Sequence, residues 1–161
     1  MKLSTSDLAK LNRAHPDLKR LALRIAELTP ANLAWRVEQT DRTKAQQLEN
    51  IKKGVSATKN SRHIPGKNKM AMAMDLTVMV NGSPSWSWPN YYKLQTITRQ
   101  AARELGIKVT WGAVWDRLLN DLKGPLDLEH ANYVVRFRRA NNRSPLADGP
   151  HIELSRQLYP A

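Results

Sequence analysis

Four residues carry the chemistry that this chain of 161 residues offers most clearly: His63, Asp75, Asp148 and His151. His63 stands in the turn-rich stretch Asn60-Ser61-Arg62-His63-Ile64-Pro65-Gly66, and Asp75 interrupts an otherwise apolar, strand-like run from Ala71 to Val80. Asp148 and His151 fall in Asp148-Gly149-Pro150-His151-Ile152-Glu153-Leu154. Two histidines and a carboxylate suffice to hold a catalytic zinc ion, which takes three protein ligands in a tetrahedral set and leaves the fourth position to water. With no cysteine in the chain, thiolate zinc, iron–sulfur and disulfide chemistry are excluded, and imidazole with carboxylate is the donor set that remains. A second carboxylate near the water would serve as general base. Asp148, three residues before His151 across a Gly-Pro turn, can fill that place. A carboxylate inside a strand such as that of Asp75 is costly to bury unless it is paired or metal-bound. Glu153 reads equally well as a group that orients a ligand or as an exposed strand residue. Of the other histidines, His15 precedes Pro16 at a helix start and reads as a cap or surface residue, and His130 lies in a segment without a clear pattern.

Several ordered segments resemble a known family. Arg42-Thr43-Lys44-Ala45-Gln46-Gln47, Gly54-Val55-Ser56, Asn60-Ser61-Arg62-His63-Ile64-Pro65-Gly66 and Ala73-Met74-Asp75-Leu76 look like the N-terminal half of phage endolysins that are L-alanyl-D-glutamate peptidases. These belong with the VanY-like D,D-carboxypeptidases and the hedgehog-type zinc fold. Trp111-Gly112-Ala113-Val114-Trp115 and the segment from Asp148 to Leu154 are similar to the family's later motifs. The resemblance implies that His63, Asp75 and His151 ligate zinc, that Asp148 is the catalytic base, and that Arg42 grips a substrate carboxylate. On a helical reading Gln46 lies one turn beyond Arg42 and supports the same contact. Two departures stand out. Eleven residues separate His63 from Asp75, more than is usual in the family, so Lys67-Asn68-Lys69-Met70 reads as a small insertion at the site mouth. Thr40 replaces a common Gly before the Arg, and Val114 replaces an acidic residue of the Trp-Gly motif.

The activity so implied is zinc-dependent hydrolysis of the L-Ala–D-Glu bond in the peptidoglycan stem, leading to host lysis. The same ligands and base would also serve a D,D-carboxypeptidase acting on terminal D-Ala-D-Ala. From a different class comes a non-enzymatic basic module that binds nucleic acid; it leaves the His and Asp pattern unexplained.

The elements that must position these residues are legible from periodicity. Leu18, Leu21, Ala22, Ile25 and Leu28 mark an amphipathic helix from Pro16 to Leu28. Leu33 to Val37 reads as a strand, and Thr40-Asp41 as the cap of a second helix that runs through Lys53 to Gly54 and buries Ala45, Leu48 and Ile51. A polar loop from Ser56 to Gly66 and a strand from Ala71 to Val80 follow, closed by Asn81-Gly82. Met70, Met72, Met74 and Leu76 would form one packed face of that strand. A third helix is expected from Tyr91 to Leu105, stopped by Gly106, then strands at Ile107–Trp111 and His151–Leu154. Residues 116–147 resist assignment, and the run Arg136-Phe137-Arg138-Arg139 reads as a strand edge or an exposed loop. Trp111 and Trp115 read as core; Trp86 and Trp88 read as groove lining or a lid. The sum is an α+β fold with a small, mainly antiparallel sheet packed with helices. It is expected to form one catalytic domain over residues 1–161, without a separate cell-wall-binding domain.

Charge bounds the partners. Lys and Arg number 26 against 14 Asp and Glu, a net +12 with pI near 10.3, which favours a polyanion: nucleic acid or an anionic cell envelope. The polar start Met1-Lys2-Leu3-Ser4-Thr5-Ser6-Asp7 does not read as a secretory signal, and no apolar run reaches the roughly 18 residues of a membrane span. The expectation is therefore a monomer that accumulates in the host cytoplasm and reaches peptidoglycan after a holin-type membrane lesion. It would bind the peptide stem and the anionic envelope, with neither nucleic acid nor membrane insertion.

Overall fold

An eight-residue strand, Ala73–Val80 (here β2), organises the sheet because its sequence is apolar on both faces. The computed structural model describes residues 1–56 and 58–160. On one edge β2 pairs with β1 (Ala34–Gln39), and on the other with β5 (His151–Leu154) and the short β3 (Ser83–Pro84). The strand β4 (Val109–Trp111) completes the order β1-β2-β5-β4, with every pairing antiparallel. Asn81 and Gly82 both take positive φ, 50° and 77°, the conformation a two-residue hairpin requires between β2 and β3.

Five helices surround the sheet among the described residues: α1 (Thr5–Leu11), α2 (Pro16–Leu28), α3 (Lys44–Lys52), α4 (Trp88–Leu105) and α5 (Leu126–Asn141), with one 3₁₀ turn at Leu119–Asp121. The helix α2 has the bounds its periodicity predicts and buries Leu18, Leu21, Ala22 and Ile25. His15 caps it, its Nδ1 accepting from the Asp17 N–H at 3.1 Å. The helix α4 starts three residues earlier than expected, since Pro89 is accepted in its first turn, and it ends at Gly106 with φ 67°. One continuous core joins Leu21 and Ile25 of α2, Leu94 of α4, and Met74, Trp111 and Ile152 of the sheet. The expected Met face is realised in Met72, Met74 and Leu76, all buried.

Four expectations need correction. The cap of α3 is Thr43 rather than Thr40-Asp41, with a reciprocal capping box between Thr43 and Gln46. Thr40 and Asp41 are committed elsewhere: the Thr40 hydroxyl donates to the Lys10 carbonyl at 2.7 Å, and Asp41 pairs with Arg13 at 2.8 Å. The buried face of α3 is not Ala45, Leu48 and Ile51; Gln47 alone is buried, and Leu48 is exposed. The run Arg136–Arg139 belongs to α5 and is neither strand edge nor loop. Trp111 is core as expected, whereas Trp115 is exposed. The polar loop of 56–66 is present, but its Ala57 lies outside the described residues, as does Ala161 at the end of the expected domain.

Candidate metal centre

Register brings two of the four residues together. Asp75 of β2 faces His151 of β5 across the ladder and Gln39 of β1 on the other side, so the three side chains form one row on one face of the sheet. A register irregularity between Val37 and Gln39 admits the extra residue Glu38 and sets that row. His63 arrives from the loop before β2. Its backbone is pinned there by the Arg42 N–H donating to the His63 carbonyl and the Met72 N–H donating to the Arg62 carbonyl, each at 2.8 Å.

His63 Nε2, Asp75 Oδ1 and His151 Nδ1 lie at the corners of a triangle with every side 3.1 Å. The outer ring nitrogens are already spent. His63 Nδ1 faces the Thr40 carbonyl at 2.7 Å; a carbonyl only accepts, so this nitrogen carries the proton and Nε2 turns its lone pair inward. His151 Nε2 faces Glu153 Oε2 at 3.0 Å, and Glu153 is buried and held below the usual carboxylate range: burial alone would raise it, but the hydrogen bond and charge of His151, with Arg156, prevail. Neutral imidazole therefore presents Nδ1 inward as well, and three acceptors converge where only a cation satisfies them. A tetrahedral ion with bonds of about 2.0 Å has ligand atoms about 3.3 Å apart, so the donor set fits zinc-like coordination. These three residues form a group able to hold a metal ion. Without an ion the surroundings favour a charged His151. Burial opposes a charged His151, yet its hydrogen bonds to Asp75 and Glu153 outweigh burial and push its pKa up to about 10. Burial would likewise raise Asp75, but the charge of His63 and the hydrogen bonds from both histidines hold it far below the ordinary range.

Asp148 stands beside the triangle, lining the same cleft of about 890 Å³. Burial and the neighbouring charge of Asp75 raise its pKa, against the pull of His151, His63 and Arg42. Its turn is docked on β4 through Gly112: the Asp148 N–H donates to the Gly112 carbonyl and the Gly112 N–H to the His151 carbonyl, both at 2.9 Å. A Cβ on Gly112 would lie 2.3 Å from the Asp148 carbonyl oxygen, which is why Trp111 is followed by glycine. Behind the turn, the Gly149 carbonyl accepts from Gln95 Nε2 at 3.0 Å and Trp111 Nε1 at 2.9 Å.

Arg42 also lines the cleft, its Nη2 3.7 Å from Asp75 Oδ2. Gln39 accepts from its Nε and Nη2, at 3.0 and 2.6 Å, and Gln47 from its Nη1 at 2.6 Å. Gln46, the expected helper, faces away: it is exposed, and its side chain accepts from the Thr43 N–H at 2.8 Å. Gln47 occupies the place foreseen for it. Sequence reasoning missed Gln39, Gln47 and Gly112, and it left Glu153 undecided, which the structure places against His151. Trp115 lies over the His151 ring with centroids 5.2 Å apart, and Trp86 and Tyr133 line the cleft. The residues Lys67–Met70 do not line this cleft; they close a turn in which the Lys69 N–H donates to the Gly66 carbonyl. The expected insertion is thus away from the site mouth. His130, on α5, packs against α4, its ring 4.4 Å from Trp88 and its Nδ1 2.9 Å from the Tyr92 hydroxyl.

The sequence matches the family of phage L-alanyl-D-glutamate peptidases over residues 1–134. It is 33% identical over 111 residues to the L-alanyl-D-glutamate peptidase of Escherichia phage T5, an alignment covering 66% of this chain and 76% of that protein. In three dimensions it is similar to the L-Ala D-Glu endopeptidase ChiX of Serratia marcescens, with TM-score 0.70 and 28% identity, over 100% of this chain and 95% of that one. The family match stops before Asp148 and His151; the structural match spans them.

Proposed function

The chain belongs to the phage L-alanyl-D-glutamate peptidase family, and from that premise we propose that it hydrolyses the L-Ala–D-Glu amide of the peptidoglycan stem as a zinc-dependent endolysin. The observation that carries the reading is the 3.1 Å triangle of inward lone pairs on His63, Asp75 and His151. When bound, zinc supplies Lewis-acid polarisation of the scissile carbonyl and acidifies a water molecule. Asp148 accepts the water proton and returns it to the departing amine, a task suited to a carboxylate whose pKa is raised by burial and by the charge of Asp75. Arg42, its fork fixed by Gln39 and Gln47, orients a stem carboxylate beside the reacting amide. Glu153 holds His151 in the tautomer that keeps Nδ1 free.

The route to the substrate is part of the same reading: release from the host cytoplasm through a membrane lesion, then attraction of a basic protein to the anionic envelope. No described helix is long and apolar enough to cross a membrane.

The decisive experiment pairs elemental analysis of purified protein with mass spectrometry of digested peptidoglycan. About one zinc per chain and new termini at L-Ala and D-Glu are expected. Release of free D-Ala, or a metal-free protein of full activity, would overturn the reading.

A further inference from the structure

Beside the metal cleft lies a second cavity of about 720 Å³ that the proposed reaction leaves without a task. The two share a wall of Asn60, Ser61, Arg62 and Arg156. Four of the residues lining the second cavity are cationic, Lys44, Lys59, Arg62 and Arg156, and none is acidic. Arg62 is the unusual member. It is 5% exposed, forms no ion pair with any described carboxylate, and its Nε is buried without a hydrogen-bond partner. Only Nη2 is engaged, with the Tyr159 carbonyl at 2.6 Å and the Leu154 carbonyl at 3.4 Å. The carboxylate whose charge reaches Arg62 is Glu153, and both oxygens of Glu153 are already engaged, by His151 at 3.0 Å and Arg156 at 2.9 Å, so the buried guanidinium keeps donors that an anion can take up. Lys44 points to the same end: it opens α3, where the helix dipole favours an acidic residue over a basic one. Lys44 and Lys59 have no ion-pair partner among the described residues.

We propose that this cavity is an anionic subsite, and that it takes a second carboxylate of the peptide stem, on the residue that follows D-Glu. The inference rests on the stem-peptidase reading, in which Arg42 holds the carboxylate nearest the cleaved amide. A chain continuing past that point crosses the Asn60–Arg62 wall, where Arg62 and Arg156 face both cavities. A carboxylate there completes the Arg62 fork and meets Lys59 and Lys44.

The test uses two soluble stem tripeptides, L-Ala-γ-D-Glu followed by either diaminopimelate or lysine. The third residues differ only in the distal carboxylate. The parent protein is expected to cleave both, with KM lower by about tenfold for the diaminopimelate peptide, the size of one charge-assisted contact. Arg62→Gln and, separately, the double variant Lys44→Ala with Lys59→Ala should abolish that preference while cleaving the lysine peptide as the parent does. The double variant alters only exposed residues, so it keeps the test intact if Arg62→Gln fails to fold. Inorganic phosphate separates the two sources of anion. If it competes with neither peptide at millimolar concentration while the preference holds, the subsite is for the stem carboxylate. If it binds the parent tightly and the peptides are cleaved alike, the cavity serves phosphate and the stem assignment is wrong. Equal KM values for both peptides in the parent and in both variants would overturn the subsite. Failure to cleave either peptide would instead overturn the peptidase reading on which it rests.

Discussion

Asp148 is the polar side chain at the centre without a hydrogen bond to any described residue, as expected of a group reserved for substrate and water. Its replacement in Asp148→Asn keeps shape and removes the base, so the variant should retain its metal while turnover falls by roughly 10²–10⁴-fold. A variant that digests cell walls at the parent rate would remove Asp148 from the mechanism. Glu153 acts through His151, and Glu153→Gln should weaken metal affinity by about 10–100-fold in chelator competition, with kcat at saturating zinc much less affected. Proton linkage at His151 gives a third expectation. In the metal-free protein its pKa lies at about 10, above the ordinary 6.5, so its charge stabilises the fold fully below pH 6.5 and the contribution fades as pH rises towards 10. The melting temperature of the metal-free protein should therefore fall over that interval. His151→Ala should flatten the decline, and zinc uptake should release protons at neutral pH.

Between elements, the close approach at Gly112 decides whether residues 148–151 reach the candidate metal centre. Gly112→Ala places a Cβ against backbone at 2.3 Å, where nothing flexible can yield, and it should cost about 1–3 kcal/mol of stability together with most of the activity. Gly124→Ala is the control: there the Cβ meets only the end of the Glu129 side chain at 3.4 Å, and denaturant midpoints of the two variants should separate clearly. The same distinction between local and long-range causes explains what could be read from sequence. The bounds of α2 and β5 were legible because apolar periodicity and punctuation by Pro and Gly are local. Asp75 and His151 were legible as candidates, but their juxtaposition is a matter of register between strands 76 residues apart. Gln39 and Gln47 carry no local signal at all. The misread face of α3 has a physical reason: the surface it meets is polar, and Gln47 Nε2 donates to Ser56 Oγ and the Thr58 carbonyl at 2.7 and 2.6 Å, so an apolar stripe has nothing to bury against. The helix α5 was obscure because it buries only Leu126 and Tyr133.

At the scale of the whole molecule the net charge of +12 is expected to act on the approach to substrate and to leave the bond-breaking step to the few groups of the cleft. Several arginines are neutralised by neighbours, as Arg136 is by Asp116 at 2.9 Å and Arg24 by Glu104 at 2.7 Å. Others, among them Arg139 on α5 and Lys93 on α4, are exposed and have no carboxylate partner among the described residues. Fields from such charges act over a Debye length of about 10 Å at 0.1 M salt and about 3 Å at 1 M, so they can draw the protein to a polyanionic wall only when salt is low. Contacts inside the cleft, such as the 3.1 Å sides of the triangle, are buried and therefore screened less. Lysis of permeabilised cells should accordingly slow as salt rises, while kcat/KM on a soluble stem tripeptide changes little. Charge reversal at Arg139→Glu with Lys93→Glu should reproduce the effect of salt on cells at low ionic strength and leave the tripeptide reaction untouched. If salt depresses both substrates equally, or if the reversed variant lyses cells at the parent rate, long-range attraction is not what brings this enzyme to the wall.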